Sequence, residues 1–301
     1  MLDNTKTEVR PSPRLARARP RPAQPDDVDS ICDLLERHFG GITRSEWQKL
    51  FQYSWSAEKP DCGWVLDAGG ETERRLVGFV GTVYSERTVN GRAERLCNLT
   101  SLCVDEEYRA MAPLLLAAVI RRRDVTLTCL TPAPSVCVML KAAGFAPLDT
   151  GKLIVPPFAN LFGLLKGLPK IECGAARIRD RLDDEQRRIL DDHVPYGCLP
   201  VLVSRGDRRC FLLAKRRVRQ HLPISEILFA SDADVLARNM EAITWAIVAH
   251  QRTGALMCSR RLFGDSPPAG MINERPSLFR SQRITPGQID HLYSEFVLLP
   301  I

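Results

Sequence analysis

The chain has 301 residues, 45% of them hydrophobic and 26% charged, a globular balance that excludes collagen-like, disulfide-framework and wholly disordered classes. Lys and Arg number 42 against 36 Asp and Glu, a formal charge of +6. Residues 1–21 carry most of that excess (Lys6, Arg10, Arg14, Arg17, Arg19 and Arg21 against Asp3 and Glu8), so the body is nearly neutral and no nucleic-acid partner is expected.

Residues 1–16 read as a disordered basic tail, and no apolar signal segment opens the chain. No run approaches the roughly 20 apolar residues of a membrane span. The 10 cysteines form no C-x-x-C pair and read as reduced, mostly buried thiols of a cytoplasmic protein. Order is expected from about Arg17–Arg21. Pro25-Asp26-Asp27 then starts a helix capped by Asp26 or Asp27, with Val28, Ile31, Leu34 and Leu35 on its apolar face. A second helix is expected over Ser45–Phe51, capped by Ser45. The aromatic group Trp47, Phe51, Tyr53 and Trp55 reads as packing or as cover over a bound molecule.

Strands follow at Trp64–Leu66 and Leu76–Tyr84, and Asn90-Gly91 is a two-residue hairpin signal leading to a strand over Glu94–Val104. A helix is expected over Pro113–Arg122, a strand over Val125–Leu130, a helix over Ser135–Ala143 stopped by Gly144, and a strand from Phe145. Phe158, Leu161, Phe162 and Leu165 form one apolar helical stripe. Beyond it come a hairpin (Leu199–Val203 and Arg209–Arg216), a strand (Ile224–Ala230), a helix from Ala233 to His250, a strand (Ala255–Cys258), a short helix (Pro286–Leu292) and a final strand (Ser294–Ile301). The order hairpin, strand, helix, strand occurs twice. The expected division is 17–150, a connection over 151–172, and a second domain over 173–301, each of mixed α/β class.

A strand that runs straight into a turn and a helix N-terminus presents free backbone N–H groups suited to a phosphate. Val104–Leu114 has this layout. Leu102-Cys103-Val104-Asp105-Glu106-Glu107-Tyr108-Arg109, a strand ending in an acidic-aromatic-Arg turn, and the later Met139-Leu140-Lys141-Ala142-Ala143-Gly144-Phe145 together resemble the GNAT superfamily of acyl-CoA-dependent N-acyltransferases over residues 17–150. The resemblance implies a cleft where the strand ending at Val104 splays from the one at Val125–Leu130. The pantetheine would bond the backbone of Leu102, Cys103 and Val104. The diphosphate would meet Arg109, Ala110, Met111, Ala112 and Leu114, with Ser135 completing the coenzyme contacts.

The chain departs from the family at two points. The loop keeps Arg109 but has Ala112 and Leu114 where the family has small residues, and Pro113 removes one donor. Leu140 stands where the family often has a proton-donating Tyr. Glu94 is the one carboxylate on the strand beside the expected cleft, a candidate base acting through water or else a solvated hairpin residue paired with Arg92 or Arg95. Asn98 and Thr100 share one strand face and would orient substrate or satisfy one another. In the second half, Ala230-Ser231-Asp232-Ala233-Asp234 places two carboxylates at the matching turn, where they would repel a diphosphate.

No Walker A loop or G-x-S-x-G elbow occurs, and the histidines lack metal-ligand spacing. Arg208, Arg209, Lys215, Arg216, Arg217 and Arg219 form a basic strip read as a solvated face. The expected function is N-acyltransfer, acetyl above all, from acetyl-CoA or another acyl-CoA to a small-molecule amine, with no metal and with homo-oligomer formation left open. The rivals are a non-catalytic scaffold on the same fold and a transferase using aminoacyl-tRNA.

Overall fold

The computed structural model describes residues 18–301 except 57–58, 70–73, 158–167, 220–221, 265–269 and 275. The basic tail and the stripe Phe158, Leu161, Phe162 and Leu165 lie outside the described residues. Asn90 and Gly91 take positive φ (52° and 75°), as the twisted two-residue turn demands, and join β3 (Leu76–Val89) to β4 (Arg92–Val104). The other neighbour of β3 is β2 (Gly63–Asp67), and β1 (Arg19–Pro22) closes that edge. A 3-10 turn at Glu106–Met111 and α3 (Ala112–Ile120) carry the chain over to β5 (Thr126–Cys129), parallel to β4. Then come α4 (Pro134–Ala142), Gly144 at φ 84°, and β6 (Ala146–Asp149).

The chain next builds a second sheet from β7 (Lys152–Val155), β8 (Lys170–Cys173), β9 (Cys198–Arg205), β10 (Arg208–Arg219), β11 (Leu222–Ala230), β12 (Ala255–Ser259) and β13 (Met271–Asn273). It returns to the first sheet with β14 (Ser277–Arg280). The orders are β1-β2-β3-β4-β5-β14-β6 and β8-β9-β10-β11-β12-β7-β13. Both have the same pattern: the fourth and fifth strands run parallel and every other pairing is antiparallel. The sixth strand of the first sheet, β14, comes from near the end of the chain, after the second sheet is built, and that of the second sheet, β7, directly follows β6. Residues 151–172, expected as a connection, supply β7 to the second sheet and begin β8.

Helices α1 (Val28–His38) and α2 (Arg44–Gln52) lie between the sheets, with α5 (Ala175–Ile178) and α6 (Asp184–His193). Thr43, not Ser45, caps α2, in a reciprocal box with Glu46. Asp27 accepts the Gln24 N–H and pairs with Arg21 at 2.6 Å. The expected helix over Ala233–His250 is two helices, α7 (Ala233–Arg238) and α8 (Met240–Gln251). Asn239 breaks it, because its amide donates to Val235 O and accepts from Arg205. The region Pro286–Leu292 holds only a 3-10 turn at Pro286–Gln288. The expected last strand is instead one helical turn, α9 (Glu295–Leu298), whose Ser294 hydroxyl accepts the Phe296 N–H. Glu295 to Leu299 are all buried, and a segment buried on every side carries no periodicity to tell helix from strand.

Three cores result. One packs α3 and α4 on the outer face of the first sheet and another packs α7 and α8 on the outer face of the second. The third lies between the sheets. There His193 stacks on Trp55 (ring centroids 5.9 Å apart) and meets Tyr293 edge-on (4.4 Å). Its Nδ1–H donates to Ile189 O and its Nε2 accepts the Tyr293 N–H, at 2.7 and 3.1 Å. Burial holds the imidazole neutral, lowering its pKa from 6.5 to about 4. The unfolded chain therefore takes up the proton first, so stability present above pH 6.5 is lost as the pH falls toward 4. The shift corresponds to on the order of 3 kcal/mol. Urea midpoints between pH 7.5 and 4.5 should show that loss, and His193→Gln should be less stable at pH 7.5 but flatter across the range.

Candidate active site

The β4–β5 ladder runs through Leu96–Thr126, Cys97–Leu127 and Asn98–Thr128, and there it stops. Part of the reason is on β4. Thr100 faces Gly81 and Cys103 faces Phe79, so Ser101 and Leu102 share the single partner Val80. Ser101 takes φ 54° in this bulge, and a bulge bends and twists its strand. Gly81 permits the close approach, since a Cβ there would lie 2.9 Å from Thr100 Cγ2. On the β5 side, Pro132 and Pro134 have no N–H with which to continue a ladder.

Past Asn98 and Thr128 the two strands part around a cavity of about 260 Å3. It passes through the sheet. Val80, Leu99, Leu116 and Leu140 line it on the α3/α4 face, Phe39, Trp47 and Leu130 line it between the sheets, and Lys152, Arg219 and Glu226 reach it from the second sheet. Two molecules approaching from opposite faces would meet in the opening.

Glu295 stands in this cavity. Asn98 Oδ1 accepts its backbone N–H at 2.9 Å, and the Thr131 hydroxyl donates to its Oε1 at 2.8 Å. Its Oε2 is buried with no hydrogen-bond partner among the described residues, as is Trp47 Nε1 on the same wall. Burial raises the carboxyl pKa, opposed by the Thr100 and Thr131 hydroxyls and by the charge of Arg217. The cavity lining thus includes one residue with an unpartnered acceptor atom and one with an unpartnered donor atom, and the carboxylate takes up a proton more readily than an exposed one.

The floor of the cavity is charged. Glu226 Oε1 lies 3.2 Å from Lys152 Nζ and Oε2 lies 2.5 Å from Arg217 Nε, all three residues being buried. The two cations keep the Glu226 pKa below its usual value against the opposing effect of burial. Lys152 Nζ is also 3.1 Å from His291 Nδ1, and burial with the neighbouring cations keeps that imidazole neutral.

Thr100 and Leu102 line the cavity. Asn98 sits at the last ladder pair and holds Glu295. Glu94 lies four residues earlier, opposite Arg87 and 3.8 Å from Arg283, buried but not on the cavity wall. Cys103 is turned into the core between the sheets, and Val104 ends β4. Arg109, Ala110, Met111, Ala112 and Leu114 are not on the cavity wall. Much of the expected open loop is the 3-10 turn, in which Tyr108 N–H bonds Asp105 O and Ala112 N–H bonds Arg109 O. Leu114 is 46% exposed and leaves the opening clear. Ser135 is exposed at the start of α4, between the cavity residues Ala133 and Val136.

The basic strip is a solvated face only in part: Arg208, Arg209 and Arg216 are exposed. Lys215 and Arg217 are buried while Val218 is 54% exposed. Their alternation along β10 is the signal that could have revealed them: Lys215, Arg217 and Arg219 fall on one face and Arg216 and Val218 on the other. For Glu295, placed on an expected strand, no comparable signal exists.

The second sheet has the same layout at the same place. β11 and β12 pair through Ile224–Ala255, Ser225–Leu256 and Glu226–Met257 and then part, and β11 is also irregular against Leu213/Ala214. There the chain itself crosses the opening. His291 N–H donates to Leu228 O at 3.1 Å, and Arg261 donates to Pro286 O and Ile289 O. The adjoining helix start is capped by Asp232, which accepts from Val235 N–H and pairs with Arg208.

A scan of protein-family models and a search of curated proteins return no match. Solved structures do match. A GCN5-related N-acetyltransferase from Anabaena variabilis aligns at TM-score 0.56 and 12% identity, over 88% of this chain and 72% of its own. A putative acetyltransferase from Pyrococcus horikoshii aligns at 0.54 and 14%, over 94% and 96%. Saccharomyces cerevisiae N-myristoyltransferase with bound myristoyl-CoA aligns at 0.51 and 13%, over 92% and 82%. The chain thus has the GNAT-type acyl-CoA N-acyltransferase fold. Among the described residues no group of His, Cys, Asp and Glu is placed to hold a metal ion, and no helix is long and apolar enough to cross a membrane.

Asn98 binds two strands to the turn that carries Glu295. Asn98→Ala leaves the buried Glu295 N–H without its acceptor and should cost about 1–3 kcal/mol, read as a lower urea midpoint at unchanged slope.

Proposed function

We propose that this protein transfers an acyl group from an acyl-coenzyme A to the amino group of a small molecule, and we take the acyl group as acetyl. The single observation that carries the reading is the open passage between β4 and β5 with the unpartnered Oε2 of Glu295 inside it. The thioester enters from the α3/α4 side and the amine from between the sheets. The solved N-myristoyltransferase holds myristoyl-CoA on this fold, which supports the same coenzyme class here. The diphosphate is assigned to the start of α3 at Arg109–Leu114, and the carbonyl oxygen to backbone donors of the Ser101–Leu102 bulge.

The amine nitrogen attacks the thioester carbon, the C–N bond forms, and the C–S bond breaks. Glu295 accepts the ammonium proton, which the departing thiolate finally takes up. Leu140 offers no proton, so the return runs through Glu295 or through the hydroxyls of Thr100 and Ser101, 3.1 Å apart. Trp47 Nε1 is left to donate to an acceptor atom of the amine substrate. The scaffold alternative called for a passage closed by Leu114, and Leu114 points to solvent. The aminoacyl-tRNA alternative rested on the basic strip, two of whose members are buried.

Acetyl-CoA titrated by calorimetry should give saturable binding, and a panel of amino sugars, amino acids and polyamines should release free thiol with at least one acceptor. Glu295→Gln should lower kcat by about 100-fold or more with acetyl-CoA affinity nearly unchanged. Glu94→Gln should be close to the parent. The rate should fall with decreasing pH through a limb above the usual carboxylate range, because the base must be ionised and burial raises its pKa. No heat up to millimolar acetyl-CoA, or full activity of Glu295→Gln, overturns the reading.

A further inference from the structure

We propose that Arg217 and Lys215, buried cations of the second sheet, are positioning residues that hold Glu295 at its working place in the first sheet; this rests on the reading of Glu295 as the base. A single helical turn has almost no stability of its own, and its last carbonyls lack intrahelical donors. Here those donors come from β10. Arg217 Nη2 donates to Phe296 O at 2.7 Å and Nη1 donates to Ile301 O, while Lys215 Nζ donates to Val297 O. The two carbonyls immediately after Glu295 are thereby fixed from one side. Asn98 fixes its N–H from the other.

The guanidinium is itself fixed. Its Nε faces Glu226 Oε2 at 2.5 Å, its side chain is fully buried, and its Cζ lies 4.7 Å from the centroid of the Phe296 ring. Lys152 Nζ stands 5.0 Å from that same centroid. A planar fork can make all of these contacts at once and a lysine ammonium cannot. The polar and charged groups that face Glu295 are Asn98 and Thr100 from β4, the Cys129 thiol and Thr131 from β5 and its end, and Arg217 from the second sheet, with Lys215 and Lys152 one residue further along the turn.

The arrangement inverts the usual pattern along β10, with Arg217 inside and Val218 outside. Buried cations are not a cheap source of stability, so their geometry toward the Glu295 turn is the better reason for their presence.

The test uses the full chain with Arg217→Lys, which keeps a positive charge against Glu226 but loses the fork, and Lys215→Met, which removes a cation that has no carboxylate contact among the described ion pairs. Small displacements of a reacting group cost large factors in rate, so each variant should lower kcat by roughly 10-fold while KM for acetyl-CoA stays near that of the parent, even though the lost hydrogen bonds lower the melting midpoint. Arg217→Lys keeps the charge beside Glu226 but loses the Nη groups that reach the Glu295 turn, so the positive charge acting on Glu295 is weaker and the acid limb of kcat should move up by about half a pH unit. Parent kcat and limb in both folded variants, beside an inactive Glu295→Gln, overturn the positioning role and leave the base intact. An active Glu295→Gln overturns both. Loss of kcat only in step with lost acetyl-CoA affinity marks a merely structural role and also overturns it. If Arg217→Lys fails to fold, Lys215→Met decides alone.

Discussion

The structure turns on where one strand pair ends. Parallel strands normally continue until a loop removes one of them, but β4 and β5 separate beyond Asn98 and Thr128 while both chains run on. Past that point the backbone of β4 keeps β3 on one side but has no strand on the other, and buried amides and carbonyls need partners. Such an opening must be filled by the protein or by a ligand. The second sheet shows the first solution, with His291 N–H on Leu228 O and Arg261 on the carbonyls of Pro286 and Ile289. A cavity remains at both, of about 260 Å3 in the first sheet and about 410 Å3 beside the crossing segment in the second. Two layouts that share strand order, the position of the parallel pair and the place of divergence thus differ in what lines the opening: Glu295 in the first, Arg261 and residues 286–291 in the second.

The charged floor follows from the same geometry. A cavity that passes through one sheet exposes the facing surface of the other, and that surface carries Lys152 and Glu226, with Arg217 buried behind them against Glu226. Moving these groups out of water costs more than their attraction usually returns, and apolar residues of similar volume often do as well. What apolar residues cannot do is donate to the carbonyls of a short turn. The energetic disadvantage is therefore informative: it sits where a backbone must be held without a long helix or a strand to hold it.

Much of this was legible in the residues. The Asn90-Gly91 hairpin, the β4–α3–β5 succession and the repeated element order are local signals, set by turn chemistry and periodicity, and the two sheets realise them. Exchange of the sixth strands was not legible, because β7 and β14 are four-residue segments whose partners are chosen by long-range pairing. Glu94 was an attractive base because it is the carboxylate on the right strand, yet it lies on the paired stretch before the divergence. Glu295 was hidden for the opposite reason. Every residue of its turn is buried, so neither alternation nor helical spacing marks it, and its neighbours come from the far side of the chain. The basic strip was misread because charge was weighed without strand alternation.

The stretch from β14 to α9 ties these points together. Its first residues complete the first sheet between β5 and β6, with Ser281 bonded to Thr126 at 2.7 Å and Arg280 capping carbonyls at the ends of α3 and α4. Its middle crosses the opening in the second sheet. Its end returns to the opening in the first and places Glu295 there. One continuous segment lines one passage and equips the other. The second opening and the position of Glu295 are therefore close along the chain: His291, bonded to Leu228 O, stands four positions before Glu295. On this geometry the second sheet, whose opening borders a cavity of about 410 Å3 lined by that same segment, is the frame that sets the position of the group inside its neighbour's.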